Sequence, residues 1–308
     1  MEFLYIAISR ISGGVKGYAM KRAGDVAHGG DSSLCINLIR SAVCLAVSAM
    51  IWIISGVGMC SPLGNLFAVI SGICNAMTVY FWILASQMVS VSLIEVFSML
   101  GSVILPLMLA PVLYNGDSAS PIQWAGAAVL VIAALLLADD EKRTKTEHPL
   151  FVKIATVFFQ VIGVSGAAVT QKLYTFHVCD KGEGSIEYFN FATFVVVCLL
   201  FVAIFLVKHV RAMLIIKRGN TDITPPFRNF PLRRVWIYIV FAAVGLYVSQ
   251  HFATLASTLP SAILFPVSYG MSILVCFVLD TAFFGKRLTL KRIIAFFTVL
   301  LAILLVNL

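Results

Sequence analysis

The stretch ASQMVSVSLIEVFSMLGS, Ala85 to Ser102, returns later as ASTLPSAILFPVSYGMSI, Ala256 to Ile273, with the same Ala-Ser opening followed by an apolar run carrying small and polar residues. Self-similarity at long range marks an internally repeated fold. Outward from this pair the match continues. Arg10, Gly13, Gly17 and Lys21 stand 150 positions before Gln160, Gly163, Ala167 and Gln171, and Asn37 in INLI corresponds to Asn190 in FNFA. Apolar runs bounded by Gly, Pro or charge fall near residues 3–21, 34–56, 66–87, 92–114, 122–139, 151–174, 186–207, 235–257, 261–284 and 289–308. They predict ten helices, five in each half. Five is odd, so the second copy enters a bilayer from the opposite side and the repeats are inverted. The expected fold is an all-α membrane protein of ten transmembrane helices, built from two inverted five-helix repeats at 1–148 and 149–308.

Composition fits this reading. The 308 residues are 60% hydrophobic and 12% charged, with mean hydropathy +0.99, against roughly 45–50% apolar in soluble domains. A spanning helix takes about 20 residues, so ten of them with short connections leave no room for a soluble domain. The net charge of +8 lies between apolar runs rather than on a foldable module, which argues against nucleic acid as a partner. The seven cysteines form no CxxC or Cys/His ligand spacing and read as small interior residues. Neither a metal site nor a cofactor motif is expected. Arg10 interrupts the only candidate leader segment, so no cleavable signal is read.

Lys and Arg favour cytoplasmic loops. The connections after helices one, five, seven and nine carry Lys21 and Arg22; Lys142, Arg143 and Lys145; seven cations between Lys208 and Arg234; and Lys286, Arg287, Lys291 and Arg292. The opposite loops hold little beyond Lys181. Those four connections are expected in the cytoplasm of a multi-pass plasma (inner) membrane protein, with both termini outside. The segment of about 208–234 reads as a solvated loop.

Polar residues recur at helical spacing within the runs. Ser71, Asn75, Thr78 and Trp82 share a face of helix three; Glu95, Ser98 and Ser102 one of helix four; Tyr247, Gln250, His251 and Thr254 one of helix eight; Ser268, Tyr269 and Ser272 one of helix nine. Helices five and ten are almost purely apolar and suit lipid or a homodimer contact equally. In helix one, Arg10, Gly13, Gly14, Gly17 and Lys21 fall on one face, a charged stripe with a glycine floor that admits a close neighbour. A central Arg or Lys costs about 2.5–3.5 kcal/mol on insertion scales, which makes charges inside spans functional candidates. Glu95 is expected to pair with Lys16 and Asp280 with Arg40, leaving Arg10 unpaired above that layer; the competing reading has Arg40, Glu95, Asp280 and Lys172 reaching the headgroups. The candidate substrate-binding set is Arg10, Lys16, Arg40, Asn75, Trp82, Glu95, Gln160, Gln171, Gln250, His251 and Tyr269. Pro266 in helix nine frees a backbone carbonyl and permits a bend.

The ten-helix repeat, the lysines closing the first helix of each half (Lys21, Lys172), the asparagines opening the second (Asn37, Asn190) and the Ala-Ser turns before helices four and nine together resemble the drug/metabolite transporter superfamily, specifically its EamA-like bacterial branch. The resemblance implies a secondary transporter, often a metabolite exporter, with a central cavity formed by helices one to four and six to nine. The chain departs from that pattern after helix nine, where FFG is followed by Lys286 and Arg287 instead of an acidic residue.

The function expected from all of this is efflux or exchange of a small polar or anionic metabolite by alternating access. Glu95 is the candidate proton site if transport is gradient-coupled, and a balance for Lys16 if it is not. The alternatives are a membrane-embedded enzyme acting on lipid-linked substrates, for which no convincing acid cluster or His/Asp pair is present in the sequence, and a non-transporting membrane subunit. Reporters active on only one side of the membrane, fused to each terminus, are expected to place both ends outside; cytoplasmic signal at both would overturn the orientation.

Overall fold

Prolines punctuate the chain where helices begin. Pro62 and Pro121 open helices, and Pro149, Pro231 and Pro260 immediately precede others, positions where the missing N–H has no intrahelical partner to lose. The computed structural model describes residues 1–27, 32–88, 97–98, 100–114, 117–137, 149–217, 230–284 and 289–308. Among them are ten α-helices and no strand. In chain order they are α1 Glu2–Val26, α2 Ser32–Ser55, α3 Pro62–Met88, α4 Leu105–Leu113, α5 Pro121–Leu137, α6 Leu150–Tyr174, α7 Ile186–Lys217, α8 Leu232–Ala256, α9 Ser261–Phe284 and α10 Leu290–Val306. One π turn, Leu100–Ile104, leads into α4 and another, Thr175–Cys179, extends α6.

Six helices, α2, α3, α6, α7, α8 and α9, contain stretches long and apolar enough to cross a membrane. Large apolar side chains such as Ile54, Val112, Phe151, Val207 and Leu304 stand on the outside. Both features are compatible with a multi-pass membrane protein. Two helices outrun the expected limits. α1 continues past Lys21 to Val26, and α7 continues past 207 to Lys217, so Lys208 to Lys217 belong to a helix and not to a solvated loop. KHVRAMLIIK contains no helix breaker, and its Ala212 is buried while Val210 and Leu214 are exposed.

Most of the packing joins the first five helices to the last five. α1 lies against α8 and α9, α3 against α6 and α7, α2 against α7 and α8, and α5 against α10, while α6 also meets the π turn ahead of α4. One end of the bundle gathers both chain termini. There the α2–α3 connection meets the α6–α7 connection through Ser61 N donating to Glu183 O (3.0 Å), and Gln123 at the start of α5 donates to Val306 O at the end of α10 (3.2 Å). Between apolar helices in lipid, close packing and interhelical hydrogen bonds carry association. Ser9 Oγ donates to Ser249 O across α1–α8 (2.8 Å), and Cys44 Sγ to Ala243 O across α2–α8 (3.3 Å).

Small residues set how near the helices come. A Cβ on Gly14 would lie 2.5 Å from Val275 Cγ1 and 2.8 Å from Leu279 Cδ1 of α9, whereas one on Gly17 would meet nothing within 4 Å. The glycine floor of α1 is therefore shorter than its sequence implies: Gly14 admits a neighbour and Gly17 does not. At α3–α6 the approach is between backbones, since a Cβ on Gly163 would stand 2.8 Å from Thr78 N and 2.9 Å from Cys74 O. Gly163→Ala is accordingly expected to destabilise by about 1–3 kcal/mol through overpacking, while Gly17→Ala gains about 0.5–1 kcal/mol from helix propensity. Thermal unfolding of the purified variants separates the two, and equal shifts would contradict the close α3–α6 approach.

Candidate functional site

Arg10 lies on α1 where that helix runs between α8 and α9. Four residues on, the Gly14 contact draws α9 close, and this brings the guanidinium to Ser268. Arg10 Nε donates to Ser268 Oγ at 2.7 Å, and Nη2 donates to the same oxygen. Ser268 stands two residues beyond Pro266, which lies inside α9, and its carbonyl accepts from Ser272 Oγ at 3.2 Å.

This pair forms part of the wall of a cavity built from both halves of the chain. α1 supplies Ile6, Ser9 and Arg10; α6 supplies Ala168 and Gln171; α8 supplies Ala253, Ala256 and Ser257. α9 adds Leu264, Phe265, Ser268 and Tyr269, and the π turn before α4 adds Ser102. π turns recur at functional sites, and this one sets a hydroxyl into the wall. The lining thus combines one guanidinium, several hydroxyls and a carboxamide with an apolar remainder, a composition suited to a small ligand with a polar, negatively charged head.

Three residues expected from the sequence, Arg10, Gln171 and Tyr269, meet at this cavity. The others lie elsewhere. Gln160 of α6 donates to Ser98 Oγ, just before the π turn, at 2.6 Å, and Asn75 turns back to Ser71 O of its own helix at 2.9 Å. His251 Nδ1 lies 3.4 Å from Asn190 Nδ2 and its ring stacks on Tyr247; Gln250 is buried beside it in sequence. Trp82 is exposed. The backbone and Cβ of Lys16 crowd Gly245 of α8. Arg40 is buried rather than reaching outward. Glu95 lies outside the described residues, as does the side chain of Asp280, so their pairings with Lys16 and Arg40 fall there too.

A second polar group closes the end of the bundle beyond Gln171. Lys172 is buried, its side chain 5% exposed, and does not extend to a headgroup. Its Nζ lies 3.4 Å from Asp117 Oδ2, donates to Leu259 O, and sits 5.2 Å above the Tyr114 ring. Asp117 Oδ2 also accepts from Ser261 N at 2.7 Å. The Tyr114 hydroxyl itself donates to Val169 O at 3.2 Å. One ion pair thereby ties the α4–α5 connection, the end of α6 and the α8–α9 turn together. Sequence reasoning missed Asp117 because an acid in a short connection reads as solvated; a lysine closing an apolar helix was the available signal that an anion lay nearby.

No protein-family model and no curated protein sequence matches the chain. A solved crystal structure superposes on 99% of this chain and 97% of its own, at a TM-score of 0.64 and 13% identity, a likeness of fold alone.

Removing one member of a buried ion pair leaves the other uncompensated, at a cost of about 3–5 kcal/mol. Asp117→Ala, which strands buried Lys172, is expected to approach that cost. Lys172→Met costs less because it deletes the charge that needs compensation, and the double variant recovers part of the Asp117→Ala loss. Thermal unfolding of the four proteins forms the cycle; strict additivity would show the pair to be energetically idle.

Proposed function

We propose that this protein is a secondary carrier for a small polar or anionic metabolite, an exporter or exchanger in the plasma (inner) membrane that works by alternating access between two inverted five-helix repeats. The observation that carries the proposal is the cavity itself: a guanidinium, hydroxyls and a carboxamide gathered among long apolar helices, with walls drawn from both halves of the chain. Polar groups inside such helices are costly, and in membrane proteins they mark substrate and ion pathways.

The pattern of helix pairing supports the repeat reading. Adding five to each helix number turns α1–α8 into α6–α3, α2–α8 into α7–α3, and α1–α9 into α6–α4, while α2–α7 and α5–α10 map onto themselves; every one of these pairs is packed. A two-fold relation between the two five-helix halves generates such a set, and inverted repeats related in this way recur in alternating-access carriers. The resemblance to EamA-like members of the drug/metabolite transporter superfamily points the same way. In this reading the Asp117–Lys172 pair lies between the cavity and the end of the bundle that the charge pattern assigns to the outside. It is one of the contacts that must part for the site to open there.

Reconstitution into vesicles preloaded with metabolite pools is the test. A carrier exchanges labelled cargo against unlabelled cargo across the bilayer, and Arg10→Gln abolishes that exchange. Absence of counterflow for every pool, with the protein verified as folded and inserted, would overturn the proposal. For the coupling step, full gradient dependence in Glu95→Gln would remove Glu95 as the proton site.

A further inference from the structure

Arg10 presents its charge to the cavity in a restricted way. A guanidinium offers five N–H donors in a planar fork. Ser268 Oγ occupies the Nε/Nη2 edge, taking one hydrogen from each nitrogen. Three N–H groups are left, two on Nη1 and one on Nη2, with no hydrogen-bond partner among the described residues; one from each nitrogen makes the end edge, parallel and spaced to meet both oxygens of a carboxylate. Ser268 is neutral, so it fixes the plane of the fork without cancelling the charge.

The rest of the wall limits what can complete that edge. Among the described residues no carboxylate lines the cavity, and Asp117 is already engaged by Lys172 and Ser261 N. One guanidinium balances one negative charge, which favours a monoanion over a phosphate dianion. Gln171 and Ser257 supply hydrogen-bonding groups on α6 and α8, while Ile6, Leu264 and Phe265 supply apolar surface. A body of a few carbons bearing a hydroxyl or oxo group matches such walls.

We infer that Arg10 binds the carboxylate of a small monoanionic organic acid end-on through its Nη1/Nη2 edge, with Ser268 as the positioning residue that sets the fork. This rests on the carrier reading and narrows its substrate class. Arg10 touches the ligand, and Ser268 acts through Arg10.

The experiment measures the thermal shift of the purified full chain. The probes are two- to five-carbon monocarboxylates, including 2-hydroxy and 2-oxo forms, each beside its own amide, with inorganic phosphate and sodium chloride at matched ionic strength. A bound ligand raises stability according to its concentration over its Kd, so the acids give saturable shifts and the amides and salts do not. Arg10→Lys keeps the charge and loses the fork, weakening binding about tenfold or more; Ser268→Ala keeps the fork and loosens it, weakening binding about threefold to tenfold. If Arg10→Lys does not fold, Ser268→Ala decides. Amides that bind as well as acids, phosphate preferred over every acid, unchanged affinity in the variants, or no shift with any acid would each overturn the inference. Counterflow with metabolite pools is read separately: if it persists after such a result, the carrier reading stands and only the carboxylate fails.

Discussion

A guanidinium carried into a bundle of largely apolar helices is the constraint on which the structure turns. α1 carries Arg10, Lys16 and Lys21 and is not one of the six helices apolar enough to cross a membrane by composition. Lipid returns only about 0.3–0.6 kcal/mol for each Leu or Ile against roughly 2.5–3.5 for each central cation, so contacts with other helices must hold α1. They do so through small groups: Ser9 bonds Ser249 O, Gly14 lets α9 approach, and Gly245 of α8 makes room for the Lys16 backbone. The closeness that holds α1 in place also places Arg10 against Ser268. Packing and polar chemistry are here the same contacts.

Because the pairings run between halves, the apolar clusters among the described residues draw on both. The apolar cluster around Val103, Leu107, Leu130 and Val299 draws on α4, α5 and α10, and the one around Ile6, Ala256, Leu264 and Phe265 on α1, α8 and α9. A cavity at such a junction inherits walls from both halves. The interfaces between them are rich in Gly, Ser and Ala, while the Asp117–Lys172 pair joins the α4–α5 connection, the end of α6 and the α8–α9 turn at one end. In the carrier reading, stability at that end and access to the cavity from it are linked through the same ion pair.

The helix count was legible because each apolar run is bounded by Gly, Pro or charge and marks one helix. The edges were less so where amphipathic residues continue a helix past its apolar part, as Lys208 to Lys217 do in α7. At the site, the cost of charge singled out Arg10, the match between the two halves brought out Gln171, and helical spacing brought out Tyr269. The match between halves also selected Gln160, and the spacing Asn75 and His251, since neither a repeat nor a periodicity says which neighbour a face meets. Gln160 is spent on Ser98 and Asn75 on its own backbone. Asp117 was invisible for the converse reason: its burial comes from the α6 end and the α8–α9 turn, far away in sequence.

Pro266 gives the Arg10–Ser268 contact its mechanical meaning. A proline inside a helix removes the hydrogen bond to the carbonyl four residues earlier, here that of Ala262, and leaves α9 its softest point just before Ser268. Arg10 is fixed to α1, which is packed closely on α8. Any bend at Pro266 that swings the later part of α9 away from α1 takes Ser268 from the guanidinium and leaves the charge to whatever else the cavity offers. A ligand that satisfies the other edge of Arg10 lowers the cost of that separation, because the charge is never stranded in the apolar interior. An empty cavity offers no such compensation. In the carrier reading, occupancy of the site is thereby coupled to the freedom of α9 to bend at Pro266.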